Sequence, residues 1–291
     1  MSILVKDILQ MAEAQLKRCG IDDAKNNAEL IFRHLLNVDK MGFFKLWGTA
    51  LDDMTWDRYL ELITKRSEGV PLQYITGEQE FMGFAFSVNP DVLIPRQETE
   101  VLVTEVVAVI NGLKKRSVSV LDIGCGSGVI GISIAKLCEN VKVTLTDINT
   151  KAIEIAGKNA KTLGVEKRVS FSEGNLFEPF KRRFMPEKFD IIVSNPPYIK
   201  SDVIPTLEAE VKDHEPILAL DGGIDGLDYY RNIMKDVHTH LKKDGVLAFE
   251  IGHDQAVDIA LIADEYGKFS DIKVIKDLAE KDRVLILSRT I

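Results

Sequence analysis

The sequence predicts an α/β protein: a mainly parallel seven-stranded sheet, preceded by a small helical bundle and joined to it by a β-hairpin. Three observations carry this expectation. From Ser117 onward, apolar β-type runs alternate with helical stretches, the pattern of a sheet covered by helices on both faces. Before residue 70, apolar residues recur at the i, i+3, i+4, i+7 spacing of amphipathic helices. Between the two regions, Phe81 to Val88 is rich in β-type residues and broken by glycine.

In chain order, Val5, Ile8, Leu9, Ala12 and Leu16 form one helical face, which Gly20 ends. Asp22 or Asp23 is placed to cap a helix carrying Ala28, Ile31, Phe32, Leu35 and Leu36, and Thr55 to cap another carrying Tyr59, Leu60 and Ile63. The intervening Met41 to Trp47 is dense in large apolar groups, which for any single residue favours core over docking surface. Gly69-Val70-Pro71 closes the bundle. Leu72 to Gly77 leads into the hairpin, Asn89-Pro90-Asp91 makes a turn, and Val92 to Glu100 enters a helix with carboxylates in its first turn. The expected strands are 118–123, 141–146, 169–172, 189–194, 245–250, 271–275 and 283–288, with helices over 129–137 and 150–163. The last two strands are joined by Lys276 to Asp282, too short for a crossover helix, so that pair is expected antiparallel. Domain boundaries follow at 1–70, 71–95 and 96–291.

Composition narrows the function classes. The 291 residues, 45% hydrophobic, suffice for a sizeable core, and no run of 18 apolar residues suggests a membrane span. Met1 to Asp7 lacks the features of a secretory signal, so a cytoplasmic protein is expected. Cys19, Cys125 and Cys138 have neither the number nor the spacing of a disulfide framework or a zinc site, and His238 and His240 face different ways on a helix; no metal is expected. A net charge of −8 argues against nucleic acid as the main partner. The basic runs Lys114-Lys115-Arg116 and Lys181-Arg182-Arg183 read as solvated loop charge.

In an open α/β sheet, ligands sit beyond the carboxyl ends of the strands. After the first strand the chain reads Asp122-Ile123-Gly124-Cys125-Gly126-Ser127-Gly128, whose glycines allow a tight turn and close approach of a ligand to the backbone. A carboxylate there would repel a pyrophosphate but suit a cationic centre. Asp147 follows the second strand, where an acid can accept both hydroxyls of a ribose. Asn175 and Leu176 follow the third, placed to meet an adenine edge and face. Asn195-Pro196-Pro197-Tyr198 follows the fourth. Two prolines there stiffen a ledge that offers the Asn195 side-chain oxygen and the Pro196 carbonyl to an NH2 group. This set describes S-adenosylmethionine better than a nicotinamide dinucleotide. Taken singly, Asn195 reads as a loop cap, Asp147 as a helix N-cap, and Asp221-Gly222-Gly223 and Asp225-Gly226 as turns. Glu250 ends a strand, a position compatible with a structural role and with a place at the site.

Residues 118–291 resemble a class I, Rossmann-like S-adenosylmethionine methyltransferase. Further stretches narrow the resemblance: Pro71 to Gly77, Glu80 to Gly83, Ile94 to Glu100, Phe189 to Ile199, Glu215-Pro216 and Ala219 to Leu227. With them the whole chain resembles the HemK-type peptide chain release factor glutamine methyltransferases. The resemblance implies methyl transfer from S-adenosyl-L-methionine, leaving S-adenosyl-L-homocysteine, to the glutamine N5 of the Gly-Gly-Gln motif in class 1 release factors. It implies a substrate-recognition role for residues 1–70 and a monomer without nucleic-acid or membrane partners. The implied catalytic residues are Asn195, Pro196 and Tyr198, with Pro197 and Phe81 also on the substrate. Cofactor contacts are implied for Asp122, Gly124, Cys125, Gly126, Ser127, Gly128, Asp147, Asn175, Leu176 and Asn195. Arg96 and Glu98 edge the site in this reading, although Gln97 stands where the family usually has proline. Two other readings compete: an amino methyltransferase acting on a flipped DNA or RNA base, and a non-catalytic binding module.

Overall fold

A computed structural model describes residues 3–181, 187–266 and 269–289. The chain forms two compact units, one from Met1–Glu78 with Glu208–His214, the other from Gln79–Leu207 with Glu215–Ile291.

The first unit is helical: α1 (Val5–Arg18), α2 (Ala24–Leu36), α3 (Lys40–Leu46), α4 (Asp53–Ser67) and the short α5 (Leu72–Thr76). The apolar stripe read from the sequence, Leu60 apart, forms or packs against its core, which is centred on Phe32, whose ring meets Phe43 and Tyr59 edge-on at 5.8 and 5.5 Å. The buried Tyr59 hydroxyl donates to the Ala28 carbonyl at 2.9 Å, so no polar group is stranded there. The caps differ from expectation. Asp52, not Thr55, starts α4, accepting from the Thr55 N–H at 2.9 Å and from its hydroxyl at 2.7 Å. The Asp carboxylate offers two acceptors to a helix start, where Thr offers one hydroxyl. Asp23 precedes α2 but is left-handed (φ 48°) and caps nothing with its side chain; the Asn27 amide donates instead to the Asp22 and Asp23 carbonyls. The run from Met41 to Trp47 also divides. Phe43 enters the core while Met41 and Phe44 are 69% and 59% exposed, because a helix as short as α3 turns only one side inward. Arg66 is buried and saturated, donating to Asn27 Oδ1 at 2.8 Å and the Val70 carbonyl at 3.0 Å and pairing with Glu210. Glu210 lies in the single turn later labelled α10.

The second unit opens on a hairpin, β1 (Glu78–Phe81) and β2 (Phe84–Ser87). Met82 and Gly83 form its two-residue turn, both with positive φ (52° and 75°), which matches the strand twist. There follow α6 (Thr99–Gly112), β3 (Val118–Ile123), α7 (Val129–Leu137), β4 (Val141–Asp147), α8 (Thr150–Thr162), β5 (Val169–Glu173), α9 (Glu178–Lys181) and β6 (Phe189–Ser194). After α10 (Ala209–Lys212) come α11 (Asp228–His240), β7 (Leu241–Glu250), α12 (Ala256–Glu265), β8 (Phe269–Lys276) and β9 (Asp282–Arg289). The seven strands lie in the order β5-β4-β3-β6-β7-β9-β8, parallel from β5 through β7, with β9 antiparallel to both neighbours. Strand order therefore reverses between β3 and β6, the place where open sheets form a crevice. Side chains alternate across the sheet: Val120, Ile191 and Val193 pack toward α6 and α7, while Leu121, Ile192 and Phe249 pack toward α11 and α12.

Two sequence expectations change. Strand β7 begins at Leu241 rather than Gly245, because Leu241 pairs with Phe189. Its polar start is tolerated since the Lys242 ammonium donates to Asp190 at 2.8 Å. Lys115 is not merely solvated loop charge: it donates to the buried Asp190 at 2.7 Å, alongside the Ser119 N–H and hydroxyl. Lys181 pairs with Asp236 at 2.9 Å, while Arg182 and Arg183 lie outside the described residues. Among the described residues, no helix is long and apolar enough to cross a membrane.

Candidate active site

Beyond the carboxyl ends of β3, β4, β5 and β6 lies a cavity lined entirely by the second unit. Its floor is the glycine loop. Gly124 and Gly126 have φ of 68° and 54°, and a side chain on either would project into open space, the space a ligand needs. Gly128 is glycine for another reason: a Cβ there would lie 2.6 Å from Ile132 Cδ1 and 3.0 Å from Ala156 Cβ, so it lets α7 pack against α8. Asp147 holds the loop. Its Oδ2 accepts from the Gly126 N–H and its Oδ1 from the Asn149 N–H, both at 2.9 Å, and burial raises its pKa. The α8 cap is Asn149, which accepts from the Lys151 N–H at 3.0 Å and leaves Asp147 on the cavity.

Asn175 and Leu176 line the far wall, and Leu176 is left-handed (φ 50°), a conformation that costs a non-glycine residue energy and clusters at functional sites. Asn195, Pro196 and Pro197 line the opposite side. The ledge is stiffened from behind as well as by its prolines. The Ile199 N–H donates to the Leu220 carbonyl at 3.1 Å and the Gly222 N–H to the Ile199 carbonyl at 2.8 Å. The turn glycines are needed for this contact, since a Cβ on Gly222 would lie 2.8 Å from the Pro197 carbonyl oxygen and one on Gly226 2.4 Å from that of Tyr198.

Other expected site residues are placed elsewhere. Asp122 is fully buried beneath the loop, where its Oδ2 accepts from the Gly131 N–H at 2.9 Å, and burial pushes its pKa up to about 7. It faces α7 because it lies on the same side of β3 as Val120. Cys125 and Ser127 are buried in the loop; burial pushes the Cys125 thiol up, and the Ser127 carbonyl accepts from Asn159 at 2.9 Å. Phe81 is 1% exposed and packs edge-on against Phe86, 6.1 Å away, so it does not reach the cavity. Tyr198 turns inward: its ring packs on the core half carrying α11 and α12, and its hydroxyl donates to Glu250 at 3.5 Å. Arg96 pairs with the buried Glu215, which also accepts from the Ile94 N–H at 3.2 Å, and Glu98 lies exposed before α6; neither lines the cavity.

Comparison with curated proteins settles the family. A release factor glutamine methyltransferase of Clostridium acetobutylicum is 40% identical over 98% of this chain and 98% of its own, and one of Bacillus cereus is 38% identical over 97% and 98%. The chain belongs to the release factor glutamine methyltransferase family. Family models match residues 7–77 as the PrmC N-terminal domain and residues 99–213 as the methyltransferase small domain. A methyltransferase structure from Pyrococcus furiosus, 17% identical, covers 81% of this chain and 99% of its own with a TM-score of 0.51, which speaks to the fold.

Three parts of the site in this member of the release factor glutamine methyltransferase family escape sequence reasoning. Asp91 to Leu93 line the cavity, yet read as a turn and a helix entry. Nothing in the sequence marks them; the structure holds them in place, with Asn149 donating to the Asp91 carbonyl at 3.0 Å. Pro216, Leu218 and Ala219 close one side, and Tyr229 another; only the Glu215-Pro216 and Ala219 to Leu227 stretches hinted at them. Thr99, buried at the start of α6, accepts from the Asn195 amide nitrogen at 3.4 Å; it lies within the Ile94 to Glu100 stretch, which gave it no role of its own.

Proposed function

We propose that this protein transfers a methyl group from S-adenosyl-L-methionine to the side-chain amide nitrogen N5 of the glutamine in the Gly-Gly-Gln motif of class 1 peptide chain release factors. The observation that carries the reading is that Asn195, Pro196 and Pro197 line the same cavity as Asp147 and the glycine loop. The donor set fits the cofactor: Asp147 keeps lone pairs beyond its two backbone bonds for ribose hydroxyls, and Ile148, Ala152 and Leu176 offer apolar cover for a base. When bound, the cofactor supplies an electrophilic methyl on a cationic sulfur.

An amide nitrogen is a poor nucleophile because its lone pair is delocalised into the carbonyl. In the proposed mechanism, Asn195 Oδ1 and the Pro196 carbonyl accept the two N–H bonds of the glutamine amide and fix its nitrogen in line with the methyl. Such alignment supplies on the order of 7 kcal/mol in favourable cases. The proton released on N-methylation leaves the nitrogen to solvent. The same two acceptors stabilise the positive charge that builds on nitrogen before that proton departs. Tyr198 serves the ledge from behind rather than as a wall of the pocket. The homologue names support the release factor as substrate and a cytoplasmic site of action. The net charge of −8 counts against a nucleic-acid base in its place.

The test is labelled-methyl transfer to purified release factor, to the same factor with Gln→Ala in its Gly-Gly-Gln loop, and to DNA. Labelling of the first alone is expected. Equal labelling of the first two, or labelling of DNA only, overturns the proposal.

A further inference from the structure

A side-chain amide has one end that accepts hydrogen bonds and one that donates, and the two ends are nearly the same size. Asn195 can receive a substrate N–H only with its oxygen toward the cavity; a half-turn would present a donor to a donor. Neither the prolines nor the strand end decides between these two settings. The group beside the amide does. Thr99 is buried, and its Oγ1 lies 3.4 Å from Asn195 Nδ2. The Thr99 hydroxyl is also close enough to the Glu250 carboxyl at the end of β7 to favour its ionised form. Glu250 is 1% exposed, accepts from the Tyr198 hydroxyl at 3.5 Å, and has an Oε2 with no hydrogen bond of normal length and angle among the described residues.

An ionised carboxylate only accepts, so it draws the single Thr99 hydroxyl proton to itself. Thr99 then has only lone pairs left for Asn195, and the amide must turn its NH2 to Thr99 and its oxygen to the cavity. We propose that Glu250, acting through Thr99, is the positioning residue that sets the Asn195 amide in its accepting orientation. This rests on the reading of Asn195 as acceptor of the substrate amide.

The arrangement responds to pH. Glu98 and Thr99 face Glu250 from the start of α6, Tyr198 from the ledge and Arg283 from β9, while Tyr230 of α11 donates to its backbone carbonyl at 2.9 Å. Arg283 favours the ionised form but is shared with Asp277, 3.2 Å away, and Glu98 opposes it. Burial dominates and raises the Glu250 pKa to about 7. A protonated Glu250 can donate to Thr99, freeing the Thr99 proton for Asn195 and admitting the wrong setting. Turnover is therefore expected to fall as pH drops below about 7.

The test compares Glu250→Gln, Thr99→Val, Thr99→Ser and Asn195→Ala in the full chain, with purified release factor as methyl acceptor. Glu250→Gln and Thr99→Val are expected to lower kcat about tenfold or more, with cofactor Kd and release-factor KM changed less than about threefold. Thr99→Ser is expected to restore most of what Thr99→Val loses, and Glu250→Gln to abolish the acid limb of the kcat–pH profile. An unchanged acid limb in Glu250→Gln, or kcat within about twofold of the parent in both Glu250→Gln and Thr99→Val, overturns the proposal while leaving the proposed function intact. Near-parent turnover by Asn195→Ala would instead sink the reading on which it rests. Should Glu250→Gln not fold, Thr99→Val against Thr99→Ser decides, and equal kcat in those two overturns the positioning role.

Discussion

Asp147 shows how a single carboxylate serves loop and ligand together, since the bonds that hold Gly126 and Asn149 use only part of its accepting capacity. Asp147→Asn would set an NH2 against a backbone N–H, and cofactor Kd measured by calorimetry is expected to rise about tenfold or more, on the scale of one lost buried hydrogen bond. Asn195→Ala removes an acceptor that acts at the reacting nitrogen. Its kcat is expected to drop about 100-fold or more, with cofactor Kd within about threefold of the parent. Asp122 gives a prediction about stability. Its folded pKa is raised to about 7, so between the ordinary carboxylate range and that value the folded state binds more protons than the unfolded one. Stability falls as pH rises through this window, and Asp122→Asn is expected to remove that slope in urea unfolding series at successive pH values. Of these residues, Asp147 and Asn195 were legible in the sequence because each directly follows an apolar strand, at the sheet edge where open α/β folds hold their ligands. Asp122, Tyr198 and Phe81 were not. Their motifs located the backbone, but the side-chain direction depends on what packs behind: Gly131 for Asp122, Glu250 for Tyr198, Phe86 for Phe81.

Among the elements, the central strands β3 and β6 were read to the residue because each is buried on both faces, as a sheet between helix layers requires, whereas the polar start of β7 hid its first four residues. The antiparallel β8–β9 pair followed from its short connection alone. Helix starts were less legible: the sequence reading set Thr55 as the cap of α4, and the observed hydrogen bonds give that role to Asp52. The loop behind the ledge was read as turns, yet its glycines act through proximity. Gly226 combines φ 77° with a Cβ position 2.4 Å from the Tyr198 carbonyl oxygen. Gly226→Ala is therefore expected to destabilise by about 2 kcal/mol or more and to lower kcat with it, as checked by urea midpoint and methyl-transfer assay on the same preparation.

For the molecule as a whole, every residue lining the cavity belongs to the second unit. Removing Met1–Glu78 is thus expected to leave cofactor Kd within about threefold, while release-factor methylation falls about 100-fold or more through loss of remote binding energy. The same deletion strips Glu208–His214 of Arg66, and limited proteolysis is expected to cut there first, as it should in full-length Arg66→Ala. Because Glu208–His214 belongs to the helical unit although it is far along the chain, that unit is not a contiguous module. A chimera that exchanged only the first 78 residues with a relative would set a foreign arginine environment against the native Glu210. Grafting the helical unit between members of the family therefore calls for two stretches of chain moved together, and selection on one of them constrains the other.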